Sequence, residues 1–166
     1  DILVNNAGMC DDGFVEDQSL EDLTAVVDVN LVSILDLCRL AAPLLLSSPA
    51  ATVVNVASMY GIVASRGPML AYNATKGAVV NLTRNLAAQW GTRGVRVNAL
   101  APGYFPSEMT GQLGDEAFRS WISERTLLGR VPAIEEIDGP FLFLASDASS
   151  YMTGQALVID GGWTAI

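Results

Sequence analysis

Four short, mostly apolar runs lie along the chain, at residues 2–4, 52–56, 95–100 and 156–160. Their residues follow no strict apolar–polar alternation, which is typical of strands that are buried on both faces. Each run stops at Asn, Ser, Pro or Gly residues, and these residue types commonly end strands. The pattern therefore predicts four buried β-strands, each followed by a loop or turn.

Between these runs the apolar residues recur at helical spacing. A stripe over residues 23–45 predicts a long helix, with Ser19 as its N-cap. A second helix is predicted over 70–90, where charged residues are almost absent, and a third over 134–146. Residues 104–130 follow neither period for long, so we expect a segment with small helical pieces there.

Alternation of apolar strands with helices predicts an α/β fold with a parallel sheet that is covered on both faces. In such sheets ligands bind beyond the carboxyl ends of the strands. Asn6, Ser58, Pro102 and Gly103 each lie just past one of the predicted strands. We therefore expect these residues to meet at one edge of the sheet.

The composition excludes several kinds of site. The 166 residues include 18 acidic and 9 basic side chains, no histidine and two cysteines. Without histidine there is no Ser-His-Asp or Cys-His triad and no histidine-rich metal site. A net charge of −9 disfavours nucleic acid and anionic membranes as partners. Cys10 and Cys38 are too few for a disulfide framework, so we expect a reducing, cytoplasmic setting and no metal.

The length suits one domain with a real core. We expect no membrane-spanning helix, because Asp36 and Arg39 interrupt the longest apolar run and Pro43 follows them. The sequence carries no recognisable signal peptide and begins at Asp1 instead of methionine. This start suggests a processed or excerpted chain.

Tyr72 and Lys76 lie four residues apart on the predicted helix over 70–90, so they share one face of it. A free phenol has a pKa near 10, and a nearby ammonium group favours the phenolate. The pair is therefore a candidate general acid/base. A half-buried tyrosine beside an exposed lysine would explain the same spacing without any chemistry.

Two further polar residues are candidates for the same site. Ser58 directly follows a strand and could donate to a carbonyl oxygen that Tyr72 protonates, although a turn cap explains it equally well. A Ser-Lys nucleophile also stays open for this residue. Asn30 interrupts the apolar stripe and must find polar partners, which could be a water near Lys76 or only a structural hydrogen bond.

Six motifs occur together in an order and spacing that resembles the short-chain dehydrogenase/reductase family. They are Asn5-Asn6-Ala7-Gly8, Asn30, Ser58, Tyr72-x-x-x-Lys76, residues 98–103 with Pro102-Gly103, and the terminal stretch from Tyr151 to Gly162. The resemblance covers nearly every residue of the chain. It implies a Rossmann-type, doubly wound parallel sheet, of which about four strands, the C-terminal part, are present.

The resemblance also implies roles for these residues. Tyr72 would be the catalytic acid/base, and Lys76 would lower its pKa and bind the nicotinamide ribose. Ser58 would polarise the substrate carbonyl, and Asn30 would hold a water that links Lys76 to solvent. The implied reaction is hydride transfer between NADP or NAD and a carbonyl/alcohol substrate.

Other residues are implied to contact the cofactor. Asn6, Ala7 and Gly8 would lie near its adenine-side ribose. The residues beside the nicotinamide would be Pro102, Gly103, Phe105 and Ser107.

One departure from the family concerns the Gly-rich phosphate-binding turn, which does not precede Asp1. We expect residues 1–166 to be the catalytic C-terminal portion of a single dehydrogenase domain of roughly 240–260 residues, without its N-terminal Gly-rich portion. A non-catalytic fragment or binding module that cannot hold the cofactor is the alternative. An extended-family sugar epimerase or dehydratase is disfavoured, because no room remains for a larger substrate domain.

The substrate is less well determined. The segment over 104–130 is expected to form an apolar lid, which is compatible with an acyl chain, a sterol, a small ketone or a sugar acid. The resemblance favours the 3-oxoacyl-carrier-protein reductase and sugar dehydrogenase branches. Homotetramers are common among members of this family, and the helices over 23–45 and 70–90 are expected subunit contacts.

Overall fold

The computed structural model describes all of residues 1–166. Four strands form one sheet: β1 (Ile2–Asn5), β2 (Thr52–Val56), β3 (Arg96–Pro102) and β4 (Ala156–Ile159). The α-helices are α1 (Leu20–Val27), α2 (Ser33–Ser47), α3 (Leu70–Trp90), α4 (Glu116–Ser123) and α5 (Asp138–Ala145). The strands are parallel and lie in the order β1-β2-β3-β4. The predicted parallel α/β sheet is confirmed.

Helices cover both faces of the sheet. Val53 of β2 and Val97 of β3 are directly paired and wholly buried in the larger core, which also contains residues of α2 and α3. Val54 and Leu100 point to the opposite face and pack with Leu144 of α5. Adjacent residues of one strand thus enter different cores, which explains why apolar and polar residues do not alternate along the strands.

The helix predicted over 23–45 extends from Leu20 to Ser47 and is not uniform. Ser19 caps it as predicted, since its hydroxyl accepts the backbone N–H of Asp22 at 3.1 Å. Between α1 and α2 the chain forms a π-helical turn over Asp28–Val32, and Asn30 lies within it. The spacing of apolar residues gave no sign of this wider turn.

The expectation that no helix could span a membrane is wrong when only the length and composition of the helices are considered. The 28 residues from Leu20 to Ser47 form one helix that is long and apolar enough to do so, because Asp36 and Arg39 are its only charged residues beyond its first third. In this fold the helix packs Ile34, Cys38 and Leu45 into the core. A core helix of a soluble protein satisfies the same criterion, so the finding is weak evidence for a membrane.

Strand β1 forms one edge of the sheet and pairs only with β2. Leu3 packs against the larger core, whereas Ile2 and Val4, on the other face, are 55% and 38% exposed. An edge strand with an open apolar face is a place where another segment can pair or pack.

Candidate active site

Three loops meet at the carboxyl edge of the sheet. Asn6 follows β1, Ser58 follows β2 and Gly103 follows β3, and these parallel strands are neighbours. The loop after β3 also contacts the end of β4, since the N–H of Gly103 donates to the carbonyl oxygen of Ile159 at 3.0 Å. The structure thus places the predicted residues at one edge of the sheet, where α/β proteins bind ligands.

Helix α3 presents Tyr72 and Lys76 to this edge. Lys76 is buried with only 3% of its surface exposed, and its Nζ donates to the carbonyl oxygen of Val56 at 2.8 Å. The same ammonium nitrogen lies 5.6 Å from the centre of the Tyr72 ring. The exposed lysine of the non-catalytic explanation is therefore ruled out, because a buried ammonium needs a reason to be there.

The pKa of Tyr72 is shifted upward in this structure. Burial raises the pKa of Tyr72 above its ordinary value of 10, whereas hydrogen bonding by Ser58 acts to lower it. Burial also lowers the pKa of Lys76 to about 8. Burial of the phenol sets the direction of this shift, and the effect of Lys76 on the pKa of Tyr72 stays a prediction.

Ser58 has a structural partner as well as a place in the site. It is buried, and its hydroxyl accepts the backbone N–H of Tyr60 at 3.1 Å, which caps the short 3₁₀ turn Met59–Gly61. The turn cap considered from sequence is therefore present. It fixes the Ser58 hydroxyl next to Tyr72 and leaves its proton free to donate.

Asn30 lies wholly buried in the π turn and bonds mainly to the loop after β1. Its side chain accepts the N–H of Met9 and donates to the carbonyl oxygen of Met9, both at 2.8 Å. It also donates to Oγ1 of Thr75 at 3.1 Å, on the helix that carries Tyr72. Asn30 thus joins this loop to α3, and its role toward a water stays a prediction.

Two glycines permit close approaches around Lys76. A Cβ on Gly8 would lie 3.4 Å from Nζ of Lys76 and 3.5 Å from Oδ1 of Asn30, so Gly8 lies directly against both groups. A Cβ on Gly61 would lie 2.6 Å from the carbonyl oxygen of Lys76, which is closer than real Cβ atoms come. Gly61 therefore allows the turn after Ser58 to pack directly on α3.

The other residues that were predicted to contact a cofactor lie at the ends of β1 and β3 or in the loops that follow these strands. Asn6 and Ala7 are exposed, and Pro102, Gly103 and Phe105 are partly buried. Ser107 is exposed and bonds to Thr110, whose hydroxyl also donates to the carbonyl oxygen of Phe105 at 2.6 Å. The Ser107 hydroxyl thus helps to shape the loop after β3.

Sequence reasoning missed an aromatic cluster beside the site. Tyr104 is its centre, and its ring lies 5.5–6.1 Å from those of four residues in other segments, namely Tyr60, Phe118, Trp121 and Trp163. The hydroxyls of Tyr60 and Tyr104 are 3.0 Å apart. Tyr104, Trp163 and the buried Ile122 also line a cavity of about 220 Å³. The expected apolar lid over 104–130 therefore has an aromatic inner wall.

Asp11 was also missed. Its carboxylate is buried and accepts the backbone N–H groups of Ala71 and Tyr72 at 3.0 and 2.8 Å. The only sequence signal is that it follows Asn5-Asn6-Ala7-Gly8 by three residues. Its partners lie 60 and 61 residues further along the chain, which no local pattern reveals.

Comparison with known proteins agrees with this arrangement. A family model described as enoyl-(acyl carrier protein) reductase matches residues 1–164. Gluconate 5-dehydrogenase of Gluconobacter oxydans (strain 621H) is 40% identical over 165 residues, 99% of this chain and 64% of that protein. A 3-oxoacyl-acyl-carrier-protein reductase of Thermotoga maritima is 40% identical over 162 residues, 98% of this chain and 65% of that protein.

Solved structures show the same likeness. Gluconate 5-dehydrogenase from Burkholderia cenocepacia J2315, in complex with NADP and tartrate, superimposes with a TM-score of 0.95 at 36% identity. The match covers 100% of this chain and 65% of that one. A 4-hydroxyisoleucine dehydrogenase complexed with NADH gives a TM-score of 0.94 at 34% identity, over 100% of this chain and 69% of that one.

The chain spans about two thirds or slightly less of the length of these relatives. Over that span both the sequence and the fold match along nearly all of its residues. The family is identified by a family model that covers residues 1–164 and by relatives at 40% identity. The chain belongs to the short-chain dehydrogenase/reductase family.

Proposed function

We propose that this protein is an oxidoreductase that transfers a hydride between a nicotinamide cofactor and a carbonyl/alcohol substrate. The observation that carries the proposal is the buried ammonium of Lys76, 5.6 Å from the centre of the Tyr72 ring. Burying a lysine without a carboxylate partner lowers the stability of the fold. A role in acid/base chemistry at the neighbouring phenol explains why this lysine is buried. The dehydrogenases and reductases among the relatives support the same reaction class.

Three side chains have separate roles in the reaction at the substrate oxygen: those of Tyr72, Ser58 and Lys76. In reduction the Tyr72 phenol donates its proton to the carbonyl oxygen, and in oxidation the phenolate takes the proton back. Ser58 donates a second hydrogen bond to the same oxygen, where negative charge develops. Lys76 stabilises the phenolate during the transfer, which compensates for the burial that raises the pKa of Tyr72.

The residues at the sheet edge fit a nicotinamide nucleotide, which supplies the hydride when it is bound. Gly8 has no side chain and lies against Nζ of Lys76, the ammonium that would bind the ribose of the cofactor. We propose that the cofactor is held by Asn6, Ala7, Gly8, Tyr72, Lys76, Pro102, Gly103, Phe105 and Ser107. NADP bound to one structural relative and NADH to another keep both cofactors as candidates.

The aromatic cluster favours a substrate whose non-reacting part is apolar. The backbone N–H of Tyr60 donates to the Ser58 hydroxyl, and the Tyr60 ring packs edge-on against Tyr104, which in turn contacts Trp121. The guanidinium of Arg125 stacks on Trp121, 4.4 Å from the centre of that ring. We propose that the substrate packs its carbon skeleton on these rings while its carbonyl faces Ser58 and Tyr72.

Replacement of Tyr72 by phenylalanine tests the proposal. Tyr72→Phe removes only the hydroxyl, so turnover should be lost while cofactor binding stays nearly intact. Tyr151→Phe is the matched control, because Tyr151 is fully exposed and far from the site in the chain. The assay is NADH and NADPH oxidation with a panel of ketones, 3-oxoacyl thioesters and keto sugar acids. Turnover by Tyr72→Phe at the wild-type rate would refute the assignment of Tyr72.

A second candidate is a binding module that keeps the fold and does not hold the cofactor. Titration of NADH and NADPH, followed by nicotinamide fluorescence, separates the two candidates. Binding of NADH or NADPH supports the enzyme, and no binding of either nucleotide supports the module.

We also propose that residues 1–166 are the catalytic C-terminal portion of a longer dehydrogenase domain in a cytoplasmic enzyme. The match to about two thirds of the relatives supports this. The intact mass of the protein from its source is the test, and a mass that corresponds to 166 residues alone would refute the proposal.

The exposed leucines of α2 suggest a homo-oligomer, a dimer or tetramer, formed through this helix. Leu40 and Leu44 are 58% and 74% exposed, although they lie on a helix whose other face is buried. Light scattering coupled to gel filtration should give a multiple of the chain mass. Leu44→Glu should lower it toward the monomer.

A further inference from the structure

The helix that carries Tyr72 and Lys76 has no N-cap of its own. Met69 precedes α3 with φ −144° and ψ 51°, and no side chain near it in sequence accepts a hydrogen bond from the first turn. The N–H groups of a first turn need partners, and an uncapped end frays. In this protein the partner of two of these groups comes from the loop after β1.

Asp11 supplies that cap across the fold. Its Oδ2 accepts the N–H of Ala71 at 3.0 Å and its Oδ1 accepts the N–H of Tyr72 at 2.8 Å. The carboxylate is only 7% exposed, and Gln18 donates to Oδ2 at 3.3 Å. A buried carboxylate at a helix N-terminus is stabilised by these N–H groups and by the helix dipole, so the contact is strong and fixed in geometry.

The same loop holds Tyr72 from the other side. Thr75 donates its hydroxyl to the carbonyl oxygen of Tyr72 at 2.9 Å. Asn30 in turn donates to Thr75 and binds both backbone groups of Met9. Both backbone polar groups of Tyr72 are thus tied to residues 9–11, one directly through Asp11 and the other through Asn30 and Thr75.

We propose that Asp11 is a positioning residue for the reaction, which holds the Tyr72 phenol beside Ser58 by fixing the backbone of Tyr72. The inference rests on the proposed function, since it takes Tyr72 as the acid/base. Asp11 itself need not touch substrate or cofactor, because both of its oxygens are directed at α3.

Four variants test the proposal. Asp11→Ala removes both acceptors, and Asp11→Asn keeps the shape of the side chain with one acceptor oxygen. Asp12→Asn makes the same charge change at the next residue, which is exposed. Ser19→Ala removes a comparable cap from α1, so it controls for the loss of a helix cap away from Tyr72.

The first measurement is kcat, KM and the pH profile of kcat at a temperature where every variant is folded by circular dichroism. Asp11→Ala should lower kcat about 10- to 100-fold, as expected for a displaced catalytic group, with a smaller change in KM. Asp11→Asn should lie between Asp11→Ala and wild type. Asp12→Asn and Ser19→Ala should keep the wild-type kcat.

The pH profile separates positioning from stability. Hydrogen bonding by Ser58 lowers the pKa of Tyr72, so a phenol that moves away from Ser58 should titrate at higher pH. The limb of the profile that depends on Tyr72 should therefore shift upward in Asp11→Ala and not in Ser19→Ala. A cap that only stabilised the fold would lower the unfolding midpoint and leave this limb in place.

A second readout does not require turnover. The absorbance of tyrosinate near 295 nm, compared with that of Tyr72→Phe, isolates the titration of Tyr72, which should move to higher pH in Asp11→Ala. If Asp11→Ala does not fold, the same measurements on Asp11→Asn decide the question. Wild-type kcat and an unmoved Tyr72 titration in a folded Asp11 variant would overturn the proposal. Turnover by Tyr72→Phe would instead overturn the proposed function, and the absorbance titration would still decide the role of Asp11.

Discussion

The contact between the turn after Ser58 and helix α3 is set by two facing glycines, and exchanging each for alanine should give opposite results. Gly61 lies in the turn and Gly77 lies in α3, one residue after Lys76. A Cβ on Gly61 would lie 2.6 and 2.8 Å from the carbonyl oxygen and carbon of Lys76. These atoms belong to a helix backbone and cannot swing aside. A Cβ on Gly77 would come no closer than 3.8 Å to the oxygen of Gly61, which is ordinary contact.

The magnitudes follow from this difference. Gly61→Ala forces a backbone shift, and overpacking of this kind costs about 1–3 kcal/mol of unfolding free energy. Gly77→Ala removes the entropy cost of glycine inside a helix and should add about 0.5–1 kcal/mol. The two variants, identical in composition, should therefore differ by about 1.5–4 kcal/mol.

The shift should also reach the site. The N–H of Gly61 donates to the carbonyl oxygen of Ser58 at 2.9 Å, so moving the turn moves Ser58 relative to Tyr72. Urea unfolding followed by circular dichroism measures the stability of both variants, and kcat reports the effect on Ser58. A Gly61→Ala protein as stable as Gly77→Ala would show that the turn and helix are not in the close contact described.

Three further predictions concern single side chains. Asn30→Ala should lower the unfolding free energy by about 1–3 kcal/mol, because Met9 and Thr75 lose their partner, while Asn81→Ala on the exposed face of α3 should change it little in the same urea assay. Burial lowers the pKa of Lys76 to about 8 from 10.5, so the unfolded chain binds the proton more tightly. The stability of wild type relative to Lys76→Met should therefore rise between pH 8 and 10.5, by about 2–3 kcal/mol, and a flat difference would contradict the burial of Lys76. Trp121→Leu should raise KM for an apolar ketone about 2- to 10-fold and leave KM for the cofactor unchanged, as measured by steady-state kinetics.

Much of the fold follows from the order of short apolar runs and helical stripes. The strands around Val53 and Val97 were predictable because residues buried on both faces leave a distinct pattern. The long helix was predictable in extent, and its π turn was not, because a single wider turn hardly changes the spacing of apolar residues. The prediction that this helix is too interrupted to span a membrane is wrong, because two charged residues leave its mean hydropathy high enough.

For the site, sequence spacing could place groups that share one element. Tyr72 and Lys76 had to share a face of α3 because the helical repeat dictates it. The direction of the pKa shift at Tyr72 could not be deduced, since it depends on how much water the whole fold removes. Asp11 and the aromatic rings around Tyr104 depend on contacts between distant segments, which have no signature within any one of them.

The π turn at Asp28–Val32 is a place where the long helix can lose one residue during evolution without changing the packing on either side. A π turn accommodates one residue more than an α-helical turn, so a deletion there can be absorbed by a regular helix with both flanks in register. A deletion in α2 rotates the part of the helix before it by about 100° and turns Val26 away from its buried position. Deletions among homologues should therefore collect at this turn, and those that lose Asn30 should also lose its bonds to Met9.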